Sequence, residues 1–184
     1  MPFNEEDRDY WVSKACDMLD RAGIVIREDE RASMEIADFK LSGDFFPTIG
    51  MEIVVYENNE RYCAKELIMF PGQICPEHMH PSVDGQTGKQ ETFRCRWGEV
   101  YLHVPGEPTL DPKGMVPPGK ESSFSIWHEI ILRPGDQFTL VPETWHWFQG
   151  GPEGAIVSEF SSTSRDENDV FTDQEIWREK NTIG

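Results

Sequence analysis

Two of the five histidines in the chain lie close together, at His78 and His80. Side chains two positions apart in a β-strand point to the same face, so both imidazoles can face one ion. Glu91 and His146 each open a later stretch of β-forming residues. Three imidazoles and one carboxylate suit a borderline divalent ion such as Mn²⁺, Fe²⁺, Co²⁺, Ni²⁺ or Zn²⁺. The sequence therefore predicts a metal site formed by these four residues.

The residues around these four match a known sequence pattern. Residues 72–98 resemble the first motif of the cupin superfamily, G-x5-H-x-H-x3,4-E-x6-G, and residues 142–146 (PETWH) resemble the core of the second motif. Ten residues separate His80 from Glu91, where the first motif usually has three or four. The second motif lacks its usual glycine after the proline and its terminal asparagine, since Gly150 stands there. We therefore expect a cupin barrel in which an enlarged loop brings Glu91 back to the ion.

Eight segments after residue 43 are rich in β-branched and aromatic residues, and turn signals with proline or glycine separate them. About eight short strands at this spacing are typical of a jelly-roll barrel. The predicted fold class is therefore mainly β, a cupin (jelly-roll) β-barrel with helical additions at both ends. The predicted strands are 51–57, 62–70, 91–97, 99–104, 123–132, 137–141, 146–149 and 155–160.

Helical segments are predicted on both sides of the barrel. Residues 4–22 carry apolar side chains at helical spacing, with Asn4 as N-cap and Gly23 after the last turn. This apolar stripe is expected to pack on the barrel or on a partner subunit. Short helices are also predicted near 28–39 and over 172–179. The predicted organisation is an N-terminal helical extension that packs on the barrel (1–43), the cupin barrel domain (44–165) and a C-terminal segment with a short helix (166–184).

The composition restricts the partners of the chain. Seventeen basic and thirty-four acidic residues give a formal net charge of −17, so nucleic acids and anionic membranes would repel the protein. No segment approaches the roughly 18–20 apolar residues of a membrane-spanning helix, and the N-terminus, MPFNEEDRDYW, lacks the basic and apolar regions of a signal peptide. The four cysteines show no CxxC spacing and are interpreted as reduced thiols. We expect a cytoplasmic protein that binds a small molecule and neither nucleic acid nor a membrane.

The resemblance extends beyond the cupin motifs to one family. Five runs carry it: RYCAKELIMFPGQICPEHMHP at 61–81, GKQETFRCRWGEVYLHV at 88–104, and the residues at 127–135, 146–149 and 158–173. These runs are similar to the D-lyxose isomerase family of bacterial cupins. The resemblance implies a Mn²⁺-dependent enzyme that interconverts D-lyxose and D-xylulose, with D-mannose and D-fructose as a slower pair. It also implies a homodimer.

An aldose–ketose isomerase moves a carbonyl group between C1 and C2, which requires transfer of a proton or a hydride between these carbons. Four protein ligands leave about two positions on a six-coordinate ion, so the ion could chelate adjacent sugar oxygens as a Lewis acid. In a cis-enediol route, a base removes the C2 proton. Glu159 is the candidate base, because it lies in the apolar strand 155–160 on the same face as Val157, where burial would favour proton uptake. An outward, solvated glutamate is the alternative.

Three further polar residues are candidates for the same site. Lys89 is two residues before Glu91 and could stabilise the enediolate or protonate a sugar oxygen, unless it is a solvated lysine of the loop. Lys65 interrupts an apolar strand, and an inward cation there would need a partner or a polyol, so we expect it to bind substrate. Its neighbour Glu66 is expected to face outward. Asp169 could hydrogen-bond sugar hydroxyls or close the cavity, or it could be a solvated turn residue.

Two other functions remain open for the same donor set. A cupin dioxygenase would use three histidines and a glutamate to bind iron for reaction with O₂, and a non-catalytic cupin would bind a sugar or store a metal. A dioxygenase does not need a base and cations arranged for a polyol. Lys65, Lys89 and Glu159 therefore favour isomerisation.

Overall fold

The computed structural model describes residues 5–41 and 45–176 of the 184-residue chain. Two helices, α1 (Glu5–Ala22) and α2 (Glu28–Ala32), precede the strands. The strands within the described residues are β1 (Glu35–Ala37), β2 (Met51–Asn58), β3 (Cys63–Met69), β4 (Ile74–Met79), β5 (Glu91–Val104), β6 (His128–Leu132), β7 (Gln137–Leu140), β8 (His146–Ser161) and β9 (Val170–Phe171).

The two longest strands, β5 and β8, connect the halves of the sheet. β8 pairs along its length with β3, β4 and β5, while β5 also pairs with β6 and β7. Each of these pairings is antiparallel. Because the same two strands serve several neighbours, the sheet curls around an apolar interior. The prediction of a mainly β fold is confirmed. Fully buried side chains of this interior include Ile53, Leu67, Phe93, Phe148 and Val157.

Two glycines allow the long strands to bend without ending. Gly98 in β5 and Gly154 in β8 have φ angles of 71° and 85°, which residues with a side chain rarely adopt. They also face each other closely, because a Cβ on Gly98 would clash with the carbonyl oxygen of Gly154. The sequence predicts a turn at Gly98 between two strands, and likewise two separate strands where the structure has β8. Both divisions are wrong, since a bend of this kind leaves the strand paired.

Two predicted helices differ from the structure. The helix predicted over 28–39 ends at Ala32, and residues 35–37 instead pair with β2, which satisfies their backbone groups at the edge of the sheet. Residues 172–176 form bends and a turn, where the prediction over 172–179 has the first part of a helix. The rest of that predicted helix lies outside the described residues.

Three strands of the structure also differ from the prediction. The strand predicted over 123–132 begins only at His128. Strand β4 is absent from the prediction because Pro76 and the charged Glu77 interrupt its β-forming pattern. Strand β9 has only two residues, which is too short for a periodic signal. β4 pairs with β8 and with β9, and these long-range contacts make both β4 and β9 extended.

Helix α1 covers part of the outer face of the sheet. Its buried side chains Ala15, Met18 and Leu19 pack with Val54 of β2 and Ile68 of β3. The central strands are therefore apolar on both faces, one toward the interior and one toward the helix. Neither α1 nor α2 has the length and apolar character that a membrane-spanning helix needs.

Glu52 is an acidic residue in the face of the sheet that helix α1 covers. It lies on the same side of β2 as Val54, opposite Ile36 of β1 and Ile68 of β3, and is completely buried. Within the described part of the chain, neither carboxylate oxygen has a hydrogen-bonding partner. Burial raises the pKa of Glu52 well above its usual range. The carboxyl group is therefore most stable in its neutral form, and ionising it in place is unfavourable.

We expect Glu52→Met to raise the free energy of unfolding near neutral pH by about 1–3 kcal/mol, and by less in acid. The pKa of Glu52 is higher in the folded than in the unfolded state. Its contribution to stability is therefore present below the ordinary carboxyl pKa of about 4.3 and is lost as the pH rises through the folded value. Urea unfolding at several pH values measures this effect. Glu57→Met, at an exposed position of the same strand, is the control, and an unchanged pH dependence in Glu52→Met would contradict the argument.

Candidate metal centre

Two strands bring the three histidines to one point. His78 lies in β4 and is paired with His146, the first residue of β8, while His80 directly follows β4. The candidate ligand atoms of the three residues lie within 4.8 Å of one another, and all three residues are buried. Among the described residues, this is the one cluster of its kind that could hold a metal ion.

Glu91, the first residue of β5, lies against this cluster. Its Oε1 is 3.1 Å from Nε2 of His80 and 3.0 Å from Nε2 of His146. Its Oε2 is 2.8 Å from Nζ of Lys89. Burial alone would raise the pKa of Glu91, but Lys89 and His80 outweigh burial and hold that pKa well below its usual range. The ionised carboxylate therefore shares the space toward which the imidazoles point.

The enlarged loop before Glu91 turns back toward β4. Val83 and Gln86 exchange two backbone hydrogen bonds, each of 3.0 Å. A Cβ on Gly88 would clash with the carbonyl oxygen of His80, so glycine allows the loop to pass directly beside that residue. This close passage brings Glu91 to the histidines across the ten-residue gap.

Backbone carbonyl groups orient two of the rings. Nδ1 of His78 donates to the carbonyl oxygen of Pro76 at 2.8 Å, and Nδ1 of His146 donates to that of Thr144 at 2.9 Å. A carbonyl oxygen only accepts, so the proton lies on Nδ1 and the lone pair of Nε2 is available to an ion. Nε2 of His146 is buried and faces Oε1 of Glu91 at 3.0 Å; with the proton on Nδ1, both atoms are acceptors and make no hydrogen bond with each other. Burial, together with the other two imidazoles, lowers the pKa of His78 well below its usual value, which keeps the ring neutral.

A carboxylate orients the third ring. Nδ1 of His80 lies 2.5 Å from Oδ1 of Asp169. Burial and Lys89 lower the pKa of His80, but Glu91 and Asp169 outweigh them and raise it to about 9. A carboxylate behind an imidazole commonly holds the ring toward a metal ion. Asp169 therefore contacts a candidate ligand as well as lining the cavity.

Two lysines and two carboxylates extend the polar side of the cavity. Nζ of Lys89 lies 3.1 Å from Oε1 of Glu159 and 3.6 Å from Oδ1 of Asp166. Nζ of Lys65 lies 2.6 Å from Oδ2 of Asp166 and 2.8 Å from Oγ of Ser164. Burial would lower the pKa of each lysine, but the neighbouring carboxylates outweigh burial and raise it. Both ammonium groups therefore remain charged.

The charges of the cavity favour a bound cation. The four carboxylates of Glu91, Glu159, Asp166 and Asp169 accompany two ammonium groups, so two negative charges remain once an ion displaces the proton of His80. A divalent ion among the imidazoles would balance them. The donor set, the imidazole lone pair that faces the Glu91 carboxylate and this charge balance all fit a divalent metal ion held by the three histidines and Glu91.

The cavity itself is small and has an apolar side. Its free space is about 20 Å³, which is room for about one water molecule. A sugar can therefore bind only when some of the lining segments move apart. The apolar lining includes the side chains of Phe39, Ile53, Leu67, Phe93, Phe148 and Phe171.

Comparison with known proteins identifies the family of the chain. The sequence profile of the D-lyxose isomerase family matches residues 32–182. A D-lyxose ketol-isomerase of Thermofilum sp. is 59% identical over 165 residues, which cover 90% of this chain and 91% of the relative. The chain belongs to the D-lyxose isomerase family. A D-lyxose/D-mannose isomerase of Thermosediminibacter oceani is 56% identical over 165 residues, which cover 90% of both proteins.

A solved structure supports the fold of this D-lyxose isomerase family member. The L-ribose isomerase of Cellulomonas parahominis, in its complex with L-ribose, superposes with a TM-score of 0.77 at 18% identity, over 95% of this chain and 94% of the other. The L-ribose isomerases are cupin-like. The predicted cupin barrel is thereby confirmed.

The sequence analysis missed Asp166, which lines the cavity, and Ser164, which contacts both Asp166 and Lys65. Ser164 and Asp166 lie in the segment that follows β8, residues 162–176, which we call the C-terminal arm. The run SSTSRDEND at 161–169 contains several hydroxyls and carboxylates and no apolar alternation that separates inward from outward positions. Their contacts with Lys65 become visible only in three dimensions.

Residues on the other face of the sheet lie outside the site. Glu66 is on the outer side, as predicted from the strand alternation, but it is only 2% exposed and accepts a hydrogen bond from Oγ of Ser158 at 2.9 Å. His103 is also buried on that side, where its ring stacks on Trp147 with 3.7 Å between the centroids. These groups pack the protein away from the metal centre.

His146→Ala should abolish stable metal binding, because it removes a buried Nε2 that faces the other candidate ligands. The loss of affinity should exceed the roughly 10–100-fold that removal of an outer-shell partner costs. Metal content after dialysis and calorimetric titration with Mn²⁺ measure it, with circular dichroism to verify folding. His128→Ala is the matched control, since His128 is half-buried and its ring contacts the carbonyl oxygen of Glu107. Wild-type metal content in His146→Ala would rule out this centre.

Proposed function

We propose that this chain is a metal-dependent aldose–ketose isomerase that interconverts D-lyxose and D-xylulose, with D-mannose and D-fructose as a slower pair. The observation that carries the proposal is the contact of Lys89 with both Glu159 and the candidate ligand Glu91 in one buried cavity. A carboxylate and an ammonium group in contact are the base and the acid that an enediol route needs. The names of the relatives, a D-lyxose and a D-lyxose/D-mannose isomerase, support the choice of sugars.

The proposed ion is Mn²⁺, held by His78, His80, Glu91 and His146. When bound, it supplies Lewis-acid polarisation of the C1 and C2 oxygens of the sugar and fixes their orientation. Co²⁺, Fe²⁺, Ni²⁺ and Zn²⁺ accept the same donors. The preference for Mn²⁺ rests on the family resemblance.

Glu159 is the proposed base of a cis-enediol route. Its buried carboxylate accepts a hydrogen bond from Nζ of Lys89 at 3.1 Å. From aldose to ketose, the carboxylate removes the proton from C2 and returns it to C1, while the proton of O2 is transferred to O1. Atoms balance, and no external oxidant or reductant is required. Lys89 is proposed to donate to the oxygen that becomes negative, where a fixed positive charge is most stabilising.

Lys65, Ser164, Asp166 and Asp169 are proposed to bind hydroxyls of the sugar chain. A hydroxyl both donates and accepts, so the oppositely charged groups of Lys65 and Asp166, 2.6 Å apart, can each bind one side of it. Lys89 contacts the candidate ligand, and Lys65 is connected to Lys89 through Asp166. Lys65 and Asp166 are therefore suited to bind sugar hydroxyls that lie further from the ion.

We also propose that the enzyme is a cytoplasmic homodimer. All four cysteines are buried free thiols, which suits a reducing compartment. The homodimer rests on the family resemblance.

A panel of aldoses tests the proposed reaction, with metal-depleted protein and with the same protein after addition of Mn²⁺, under nitrogen. We expect D-lyxose to give D-xylulose only with the ion present, and carbon-bound hydrogen to exchange in D₂O. A dioxygenase would need and consume O₂, and a non-catalytic cupin would bind sugar without exchange. Either of those results would contradict an isomerase.

Glu159→Gln should keep the metal ion and lower kcat for D-lyxose by about 10²–10⁴-fold, because an amide cannot accept the C2 proton. Gln preserves the size of the side chain and an oxygen that can accept from Lys89. Steady-state kinetics and metal analysis of the same preparation give both quantities. Glu153→Gln, at an exposed position of the same strand, is the control. Unchanged turnover in Glu159→Gln would remove Glu159 as the base.

A further inference from the structure

We infer that Lys120, which lies outside the cavity, is a positioning residue: its ion pair with Asp173 holds the C-terminal arm in the place where Ser164, Asp166 and Asp169 can contact a sugar. The inference rests on the proposed function for the identity of the substrate. It assigns a role to the long connection between β5 and β6, from which Lys120 comes, and which the metal centre does not use.

The arm contributes much of the polar lining but has few backbone contacts of its own. Asp166 and Asp169 both belong to it. Its only strand, β9, has two residues, which pair with His78 and Met79 of β4. So short a pairing gives little stability by itself. The position of the arm must therefore depend on side-chain contacts.

The contact between Lys120 and Asp173 is a shielded ion pair of the arm that lies outside the cavity. Nζ of Lys120 lies 2.8 Å from Oδ2 of Asp173, and the two side chains are only 10% and 8% exposed. A second carboxylate, Glu175, lies 2.6 Å from the same ammonium group, but its side chain is 75% exposed, so solvent screens that contact. The ammonium group also lies 5.5 Å from the centre of the Phe45 ring. Asp173 should therefore contribute most of the attraction.

Glu77 joins the same connection, the arm and the metal-binding strand at one place. Thr172, next to Asp173, donates from Oγ1 to Oε1 of Glu77 at 2.7 Å, and its amide donates to the carbonyl oxygen of Glu77 at 3.1 Å. The carboxylate of Glu77 also accepts from the amide of Ser125 at 2.6 Å. Glu77 precedes His78 in β4. These contacts of Glu77 thus lie next to the candidate ligand His78, and Asp169 is only a few residues before Thr172 in the arm.

The expected effect is on sugar binding more than on turnover. The small cavity must open to admit a sugar, and Lys120 raises the fraction of molecules in which the arm is docked. If removal of the ion pair lowers that fraction to about one tenth, the apparent affinity for sugar falls about tenfold. A bound sugar restores docking through its own contacts with the arm, so kcat at saturation changes little.

The test compares Lys120→Met, Asp173→Asn and the double variant with Lys113→Met, a matched change at a half-exposed lysine of the same connection. We expect KM for D-lyxose to rise about tenfold in each of the first three, without addition in the double variant. With Mn²⁺ at saturation, we expect kcat within about twofold of the wild-type value and recovery of KM in Lys120→Arg. A fall in melting temperature with KM unchanged would show a merely structural role and overturn the inference.

Hydrogen exchange makes the test independent of the proposed function. Peptides from residues 163–172 should exchange faster in Lys120→Met than in Lys113→Met, while peptides from β3 and β8 should not change. Equal exchange of those arm peptides would overturn the inference whatever the activity. If the wild-type enzyme does not isomerise D-lyxose, the proposed function fails, and the exchange experiment still decides the role of Lys120.

Discussion

Glu91 is an anion held almost completely away from water, and the arrangement of the cavity follows from that constraint. A buried carboxylate is stable only when cations or hydrogen-bond donors surround it, and Lys89 provides such a cation. Lys89 is itself buried and needs further anions, which Glu159 and Asp166 provide. Lys65 is a second buried cation, and it pairs with the other carboxylate oxygen of Asp166. A group of charges suited to binding a polyol thus accompanies the burial of one carboxylate, the candidate metal ligand Glu91.

Such a set of charges requires several strands to meet around one point, and β8 brings them together by pairing with β3, β4 and β5. Glu159 lies opposite Lys65 of β3 and Phe93 of β5, while the first residue of β8 is paired with His78 of β4. The ligand side of the cavity is therefore held by continuous sheet. The arm is held differently, by a two-residue strand and by side-chain contacts. One half of the cavity is held by hydrogen-bonded strand pairing, and the other half is held mainly by side-chain contacts.

The half of the cavity that the strands form could be predicted from the sequence, because the patterns that indicate it lie within short segments. The spacing of two histidines, the period of two in the strand that contains Lys65, and the apolar neighbours of Glu159 are all visible within a few residues. The same local view misjudged Gly98 and Gly154, because a glycine that ends a strand and one that bends a paired strand have the same neighbours in sequence. Which of the two occurs depends on the strand across from it.

In the half of the cavity that the arm forms, only Asp169 was predicted from the sequence, because the other contacts join residues far apart. Lys65 meets Asp166 across 101 positions, and the arm is fastened to Lys120 across 53. The two halves nevertheless touch at a candidate ligand, through the 2.5 Å contact between Asp169 and Nδ1 of His80. An ion that fixes the ring of His80 therefore also favours the docked arm, and by linkage a docked arm favours the ion to the same extent. In the proposed enzyme, metal binding and docking of the arm are therefore coupled through the contact of Asp169 with His80.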